Sequence, residues 1–317
     1  RPKGLDPHNG FVPLCPEIDS GQRYRYLTTW KLLAFGPNLS TSFFCTFDLQ
    51  MMKQNIHIVL VGAGNVATHL ARAWHSAGVP IMQVYSRNYS AAVTLAGEVD
   101  ASPLADVAGI DASASAVIFS LRDNSYHEVL EKINLQGTLL LHTSGSLDMD
   151  ILKVASDRVG VIYPLQSFNK HKIIDLSTTP FLLETAAAAD MPGVEKLASL
   201  ITKNIFHTSS AQRATLHISA VFSCNFVNYL YTVAEELLNE KNLSLDLIRP
   251  LIMETAQKVM TESPSKVQTG PAQRKDTLII GKHIQCLGNK PEYLELYKNL
   301  TEKISNRKTE NQNHDEL

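Results

Sequence analysis

One stretch, IHIVLVGAGNVA at residues 56–67, constrains the fold more than any other. Ile56, Ile58, Val59, Leu60 and Val61 make a short apolar run of buried-strand type that passes directly into Gly62-Ala63-Gly64-Asn65-Val66-Ala67. The residues after it, THLARAWHSAG, carry apolar side chains at helical spacing. Strand, glycine turn and helix in that order give the G-x-G-x-x-A form of a dinucleotide-binding turn. Gly62 permits the tight turn, Gly64 lets backbone N–H groups approach a pyrophosphate, and Ala67 lets the helix close on the strand. Gly62, Ala63, Gly64, Asn65 and Val66 are therefore the candidate cofactor loop.

A second strand is expected at residues 81–85, ending in Ser86-Arg87-Asn88. A site selective for NAD places a carboxylate there for the ribose 2′-hydroxyl. This chain offers a hydroxyl and a guanidinium instead, which suit a 2′-phosphate, so Ser86 and Arg87 favour NADP(H). Further strands are expected at 99–101, 116–120, 137–141, 159–163, 180–184 and 205–207, with short helices between them. Polar clusters follow the strands: Leu121-Arg122-Asp123-Asn124, His142-Thr143-Ser144-Gly145-Ser146 and Pro164-Leu165-Gln166-Ser167-Phe168. Parallel α/β sheets bind ligands outside the carboxyl ends of their strands, where all these clusters fall.

From Ser209 the pattern changes to helices. Residues 214–240 are apolar and free of Gly and Pro, as a long buried helix would be, and 245–261, 276–287 and 292–304 read as three more. The expected fold class is α/β: a Rossmann-type doubly wound, mostly parallel sheet followed by an all-α C-terminal domain. The expected divisions are a non-native or disordered extension at 1–50, a nucleotide-binding domain at 51–208, a helical substrate or dimerisation domain at 209–304 and a polar tail at 305–317. The helix at 214–240 needs more cover than short helices supply, which points to a homodimer through this domain.

Polar residues in apolar surroundings mark the candidates for chemistry. His217 and Asn228 share one face of a regular helix, with Asn225 about 80° away. They suit an acid and hydrogen-bond donors facing a nicotinamide ring, or equally a satisfied core histidine with a helix-pairing contact. His142 and Ser144 stand at a strand end, where they can approach substrate or simply cap a turn. Arg274, after the Gly270-Pro271 turn, can hold an anionic substrate or remain a solvated charge, with Asp276 as helix cap.

A formal net charge of −2 gives no electrostatic reason for nucleic acid or an anionic membrane as partner. Cys15, Cys45, Cys224 and Cys286 lie far apart without metal-ligand spacing, so no metal is expected and a reducing, cytoplasmic setting is. No apolar run is long enough to span a membrane. The last four residues spell HDEL, a lumenal retention address, although no segment seen here delivers the chain to that compartment, and a solvated tail is the simpler reading.

The succession GAGNVA, YSRN, FSLRDN, LHTSGS, YPLQSF, HISAVFSCNF and TGPAQRKDTLIIGKH resembles a family of bacterial NADP oxidoreductases that pair a Rossmann-like domain with a helical domain of unknown function. These are distant relatives of pyrroline-5-carboxylate reductase, of the 3-hydroxyisobutyrate and 6-phosphogluconate dehydrogenases, and of deazaflavin-dependent NADP reductases. The resemblance implies Gly62, Gly64 and Val66 on the pyrophosphate, Ser86 and Arg87 on the 2′-phosphate, and Leu121, Arg122 and Asp123 beside the ribose. Sister families carry a Lys and an Asn on the first long helix of the second domain; here His217 stands near the Lys position and Asn225 near the Asn. The expected function is hydride transfer between NADP(H) and a small carbonyl, hydroxy-acid or imine substrate at an interdomain cleft, with His217 as acid and Asn225 or Ser144 orienting the substrate. The competing expectation is an NADP(H)-binding sensor or scaffold without turnover.

Overall fold

The computed structural model describes residues 56–314, with side chains through residue 307. The extension at 1–50 and the last three residues of the HDEL sequence lie outside the described residues.

Eight strands form one sheet in the order β3-β2-β1-β4-β5-β6-β7-β8. They are β1 (Ile58–Val61), β2 (Ile81–Tyr85), β3 (Ser102–Leu104), β4 (Ala116–Phe119), β5 (Leu140–His142), β6 (Val159–Pro164), β7 (Pro180–Thr185) and β8 (Asn204–His207). All neighbours are parallel except β6 and β7. The strand order reverses between β1 and β4, whose carboxyl ends, at Gly62 and Ser120, flank the switch point where such sheets bind ligands.

The central strands are apolar at every position because both faces are covered. Ile58, Leu60, Ala116 and Ile118 face one core, with Leu70 and Trp74 of α1 (Asn65–Ser76), Leu95 of α2 (Tyr89–Glu98) and Leu197 of α4 (Met191–Ser199). Val59, Val61, Val117 and Phe119 face the other, with Tyr126 and Leu130 of α3 (Tyr126–Leu130) and Leu152 of a 3-10 turn. Helices on both faces make the sheet doubly wound.

The helical region begins at α5 (Ser210–Ala220), started by a capping box between Ser209 and Gln212. A π-helical turn (Val221–Phe226) follows, then α6 (Val227–Asn239), α7 (Arg249–Thr261), α8 (Pro271–Arg274), α9 (Thr277–Cys286) and α10 (Pro291–His314). Pro250 sits in the first turn of α7, and the Asp276 side chain caps α9 by accepting from Ile279 N–H. The segment at 214–240 is thus neither one regular α-helix nor buried: the π turn, α6, α7 and α9 contain no buried residue. Helix α10 continues past Ile304, where the sequence suggests a polar tail.

Candidate active site

The glycine turn is fixed by its neighbours. Gly62 has φ +126°, and a Cβ there would overlap the backbone carbonyl oxygen of Ser120 at the end of β4. Glycine is the residue that meets both demands. At Gly64 a Cβ would meet nothing within 4 Å, so the space over the turn is open. Gly64 starts α1 without a side-chain cap, and the first turn of α1 holds no acidic residue. The leading N–H groups of the helix therefore face that space with no partner from the helix, next to the positive end of its dipole. This donor set fits a pyrophosphate.

Residues 168–170, from the loop after β6, strap themselves to α1. The Asn65 amide donates to Phe168 O at 3.1 Å and accepts from Lys170 N–H at 3.3 Å. His69 Nε2 meets Asn169 O at 2.9 Å, and Arg72 donates to Lys170 O at 3.2 Å. The Asn65 side chain is thus committed to the loop, leaving its backbone N–H for a ligand. Beyond Ala63, a hollow of about 400 Å³ is edged by Asn88 and Ser90 of the α2 start and by Lys170 and His171. Arg87, just before Asn88, is exposed.

Across the turn lies a cleft of about 710 Å³. It is lined by Asn65 and Val66 of the glycine turn, by Tyr163 and Phe168 of β6 and the loop after it, and by His217, Cys224 and Asn225 of the helical region. A π turn advances roughly 80° per residue against about 100° for an α turn, which removes most of the angular offset between His217 and Asn225. Asn225 therefore lines the cleft with His217, whereas Asn228 is exposed and does not line it. This departs from the expectation for a regular helix, where Asn228 is the residue in line.

His217 is half-buried and its Nδ1 lies 3.0 Å from the Tyr163 hydroxyl, with the two rings edge to face. Gly145 packs against the same imidazole: a Cβ at that position would fall 2.6 Å from Nδ1. Burial raises the Tyr163 phenol above its ordinary pKa, while the Arg213 charge pulls the other way. Arg213, one turn before His217 on α5, is 1% exposed. It pairs with Glu184 and donates to Leu147 O and Ser210 Oγ.

The loops after β4 and β5 are tied together. Ser144 Oγ donates to Asp123 at 3.0 Å, Ser146 Oγ donates to its other carboxylate oxygen, and Thr143 Oγ1 donates to Ser120 Oγ at 3.1 Å. Ser144 is 8% exposed and also receives the N–H groups of Ser146 and Leu147. Ser144 and Asp123 therefore hold one loop against the other, while Leu121 is half-buried and Arg122 exposed. His142 departs from the expectation of a residue that meets substrate: it is fully buried, beside the Tyr126 ring, with Nδ1 accepting from Ser144 N–H. Burial and, next, Arg213 lower its pKa to about 4, so it is neutral near physiological pH. Arg274 is exposed on the short α8 and does not line the cleft.

Tyr163, Arg213 and Glu184 were not singled out by the sequence. The one signal for Tyr163 was its place at a strand end, before the polar cluster at 164–168.

Residues 57–144 match the family profile described as NADP oxidoreductase, coenzyme F420-dependent, and residues 179–304 match a domain of unknown function, DUF2520. The crystal structure of a putative NADP oxidoreductase from Bacteroides fragilis is 38% identical, with a TM-score of 0.76, and the match covers 80% of this chain and 99% of that one. The chain belongs to this NADP oxidoreductase family. NADP(H) is the family's cofactor, and the Rossmann-like domain, the helical region and the resemblance seen in the sequence agree with the match. A reductive aminase from Aspergillus terreus in complex with NADPH and ethyl-5-oxohexanoate shares the fold at 14% identity and a TM-score of 0.61, over 80% of this chain and 94% of that one. A 1-pyrroline-5-carboxylate reductase from Streptococcus pyogenes does so at 12% and 0.52, over 79% and 98%. No curated protein matches. No described helix of this oxidoreductase is long and apolar enough to cross a membrane.

Proposed function

We propose that this chain is an NADPH-dependent reductase acting on a C=O or C=N bond of a small substrate in the 710 Å³ cleft, the reverse direction being oxidation of a hydroxy acid or amine. The observation that carries this reading is one cleft lined both by Asn65 and Val66 of the dinucleotide turn and by His217 and Asn225 of the helical region. Bound dihydronicotinamide supplies a hydride. The chain's part is to bind the cofactor, orient the acceptor and deliver a proton. Gly62, Ala63, Gly64, Asn65 and Val66 take the pyrophosphate through backbone N–H groups. Ser86 and Arg87 take the 2′-phosphate, and the loop at 121–123 borders the ribose, held in shape by Ser144 and Ser146. His217 delivers the proton and Asn225 hydrogen-bonds the reacting group. A carbonyl acceptor is in keeping with the keto ester named for the Aspergillus enzyme that shares the fold.

The same reading includes a homodimer. Phe222, Tyr229, Leu251, Met260 and Leu278 of the helical region are 52–82% exposed, an apolar surface that a second copy would cover. Sedimentation of a monomer at working concentration would overturn this part. The free thiols of Cys224 and Cys286 suit a reducing, cytoplasmic setting.

The decisive experiment follows NADPH oxidation against panels of ketones, keto acids and cyclic imines, with His217→Ala alongside. Turnover that His217→Ala lowers about a hundredfold or more supports the reading. Tight NADPH binding without turnover of any acceptor would shift it to a sensor, and calorimetry without NADP(H) binding would end both.

A further inference from the structure

His217 has one hydrogen-bond partner among the described residues, the Tyr163 hydroxyl at Nδ1. Nδ1 and an O–H meet at 3.0 Å, and the geometry by itself allows either to donate. The surroundings decide. The Tyr163 hydroxyl has no other acceptor among the described residues, so its hydrogen is satisfied within the protein only by donating to Nδ1. Among the described residues no carboxylate pairs with the ring to draw a hydrogen onto Nδ1, and the buried charge on α5 is the cation of Arg213. Nδ1 is therefore the acceptor, and the ring hydrogen sits on Nε2, the nitrogen without a partner in a residue that lines the cleft.

We propose that Tyr163 is a positioning residue that fixes His217 as the neutral Nε2–H tautomer and resupplies its proton through the ring. The proposal rests on the reductase reading above. In the step it describes, the Nε2–H bond breaks as an O–H or N–H bond forms on the substrate. The Tyr163 O–H bond breaks as Nδ1–H forms. The ring passes through the opposite neutral tautomer with the charge on the phenolate oxygen. Nδ1 then returns its proton to that oxygen as water in the open cleft protonates Nε2, which restores both the phenol and the Nε2–H ring and leaves hydroxide to the solvent. The hydride is the nicotinamide's contribution and enters neither bond. Gly145 keeps the relay in register, because its missing side chain lets the ring stand against the β5 loop with Nδ1 turned to Tyr163.

The test has a readout apart from turnover. In protein labelled with 15N-histidine and free of cofactor, long-range 1H–15N correlations report the tautomer of each ring. The expected result is Nε2–H for His217 in the wild type and a loss of that preference in Tyr163→Phe, which keeps the ring but not the hydroxyl. With an accepted substrate, Tyr163→Phe should lower kcat about ten- to hundredfold with the NADPH dissociation constant unchanged, and it should add little to the loss already caused by His217→Ala. An Nδ1–H tautomer in the wild type, or a Tyr163→Phe protein that keeps both tautomer and kcat, overturns the proposal. Failure of the reductase reading looks different: the wild type turns over no acceptor or does not bind NADPH, whatever the tautomer.

Discussion

Gly145 and His217 stand so close that a single methyl group on the glycine would lie 2.6 Å from the imidazole Nδ1 and 2.7 Å from Cγ. The loop after β5 and helix α5 thus meet at the proposed acid, and the glycine sets how deep the ring sits. Gly145→Ala should displace the ring and break its contact with Tyr163. Displacement of a reacting group by about 1 Å can cost on the order of a hundredfold in rate. We expect kcat to fall by at least about tenfold while the NADPH dissociation constant is unchanged, measured by steady-state kinetics beside calorimetry. An unchanged kcat would show that the ring has room to move.

The two glycines of the dinucleotide turn should fail in different ways. Gly62→Ala forces a methyl group into the Ser120 carbonyl at a positive φ, so it should destabilise the protein by about 1–3 kcal/mol and remove NADPH binding. Gly64→Ala points its methyl into open space, so its unfolding midpoint should match the wild type while NADPH affinity falls. Urea denaturation paired with NADPH titration separates the two. Equal losses of stability would contradict the geometry.

Arg87 is exposed and should act on the cofactor alone. A charged hydrogen bond to a phosphate is worth about 1.5–3 kcal/mol. Arg87→Ala should therefore weaken NADPH about ten- to hundredfold and leave NADH nearly unaffected, as read by calorimetry with both cofactors. Equal weakening would remove Arg87 from the 2′-phosphate.

His142 should make stability depend on acid. Its folded pKa is lowered to about 4, whereas an imidazole in the unfolded chain titrates near about 6.5. Between those values the unfolded chain takes a proton that the folded chain refuses, so stability rises with pH across the window and drains away on acidification. The contribution is fully present above about pH 6.5 and gone by about pH 4; the part lost between about pH 7 and pH 5 is about 2 kcal/mol. In His142→Asn the unfolding free energy should fall less over that interval. A slope identical to that of the wild type would place the acid sensitivity elsewhere.

What the sequence made legible was local or periodic. The turn at 62–67 carries its own instructions in its glycines, and the apolar runs of β1 and β4 announce strands covered on both faces. The site was harder to read because tertiary contacts built it. Tyr163 and His217 lie 54 positions apart, and no pattern on either strand or helix forecasts their hydrogen bond. His142 follows a strand like any exposed loop residue, yet the Tyr126 ring and the interior position of β5 bury it completely. Counting at about 100° per residue selects Asn228 as the partner of His217. The π turn, invisible to that count, brings in Asn225. Ser144 and Asp123, expected to meet substrate and ribose, spend polar atoms on each other.

The two sides of the cleft differ in how they are held. The glycine-turn side is backed closely by the Ser120 carbonyl and tied along α1 at Asn65, His69 and Arg72. The other side passes from α5 through the π turn into α6, stretches in which Arg213 is the one buried residue. A substrate in the cleft would therefore be gripped between a side tied along its length and a side pinned to the sheet at the Arg213–Glu184 pair.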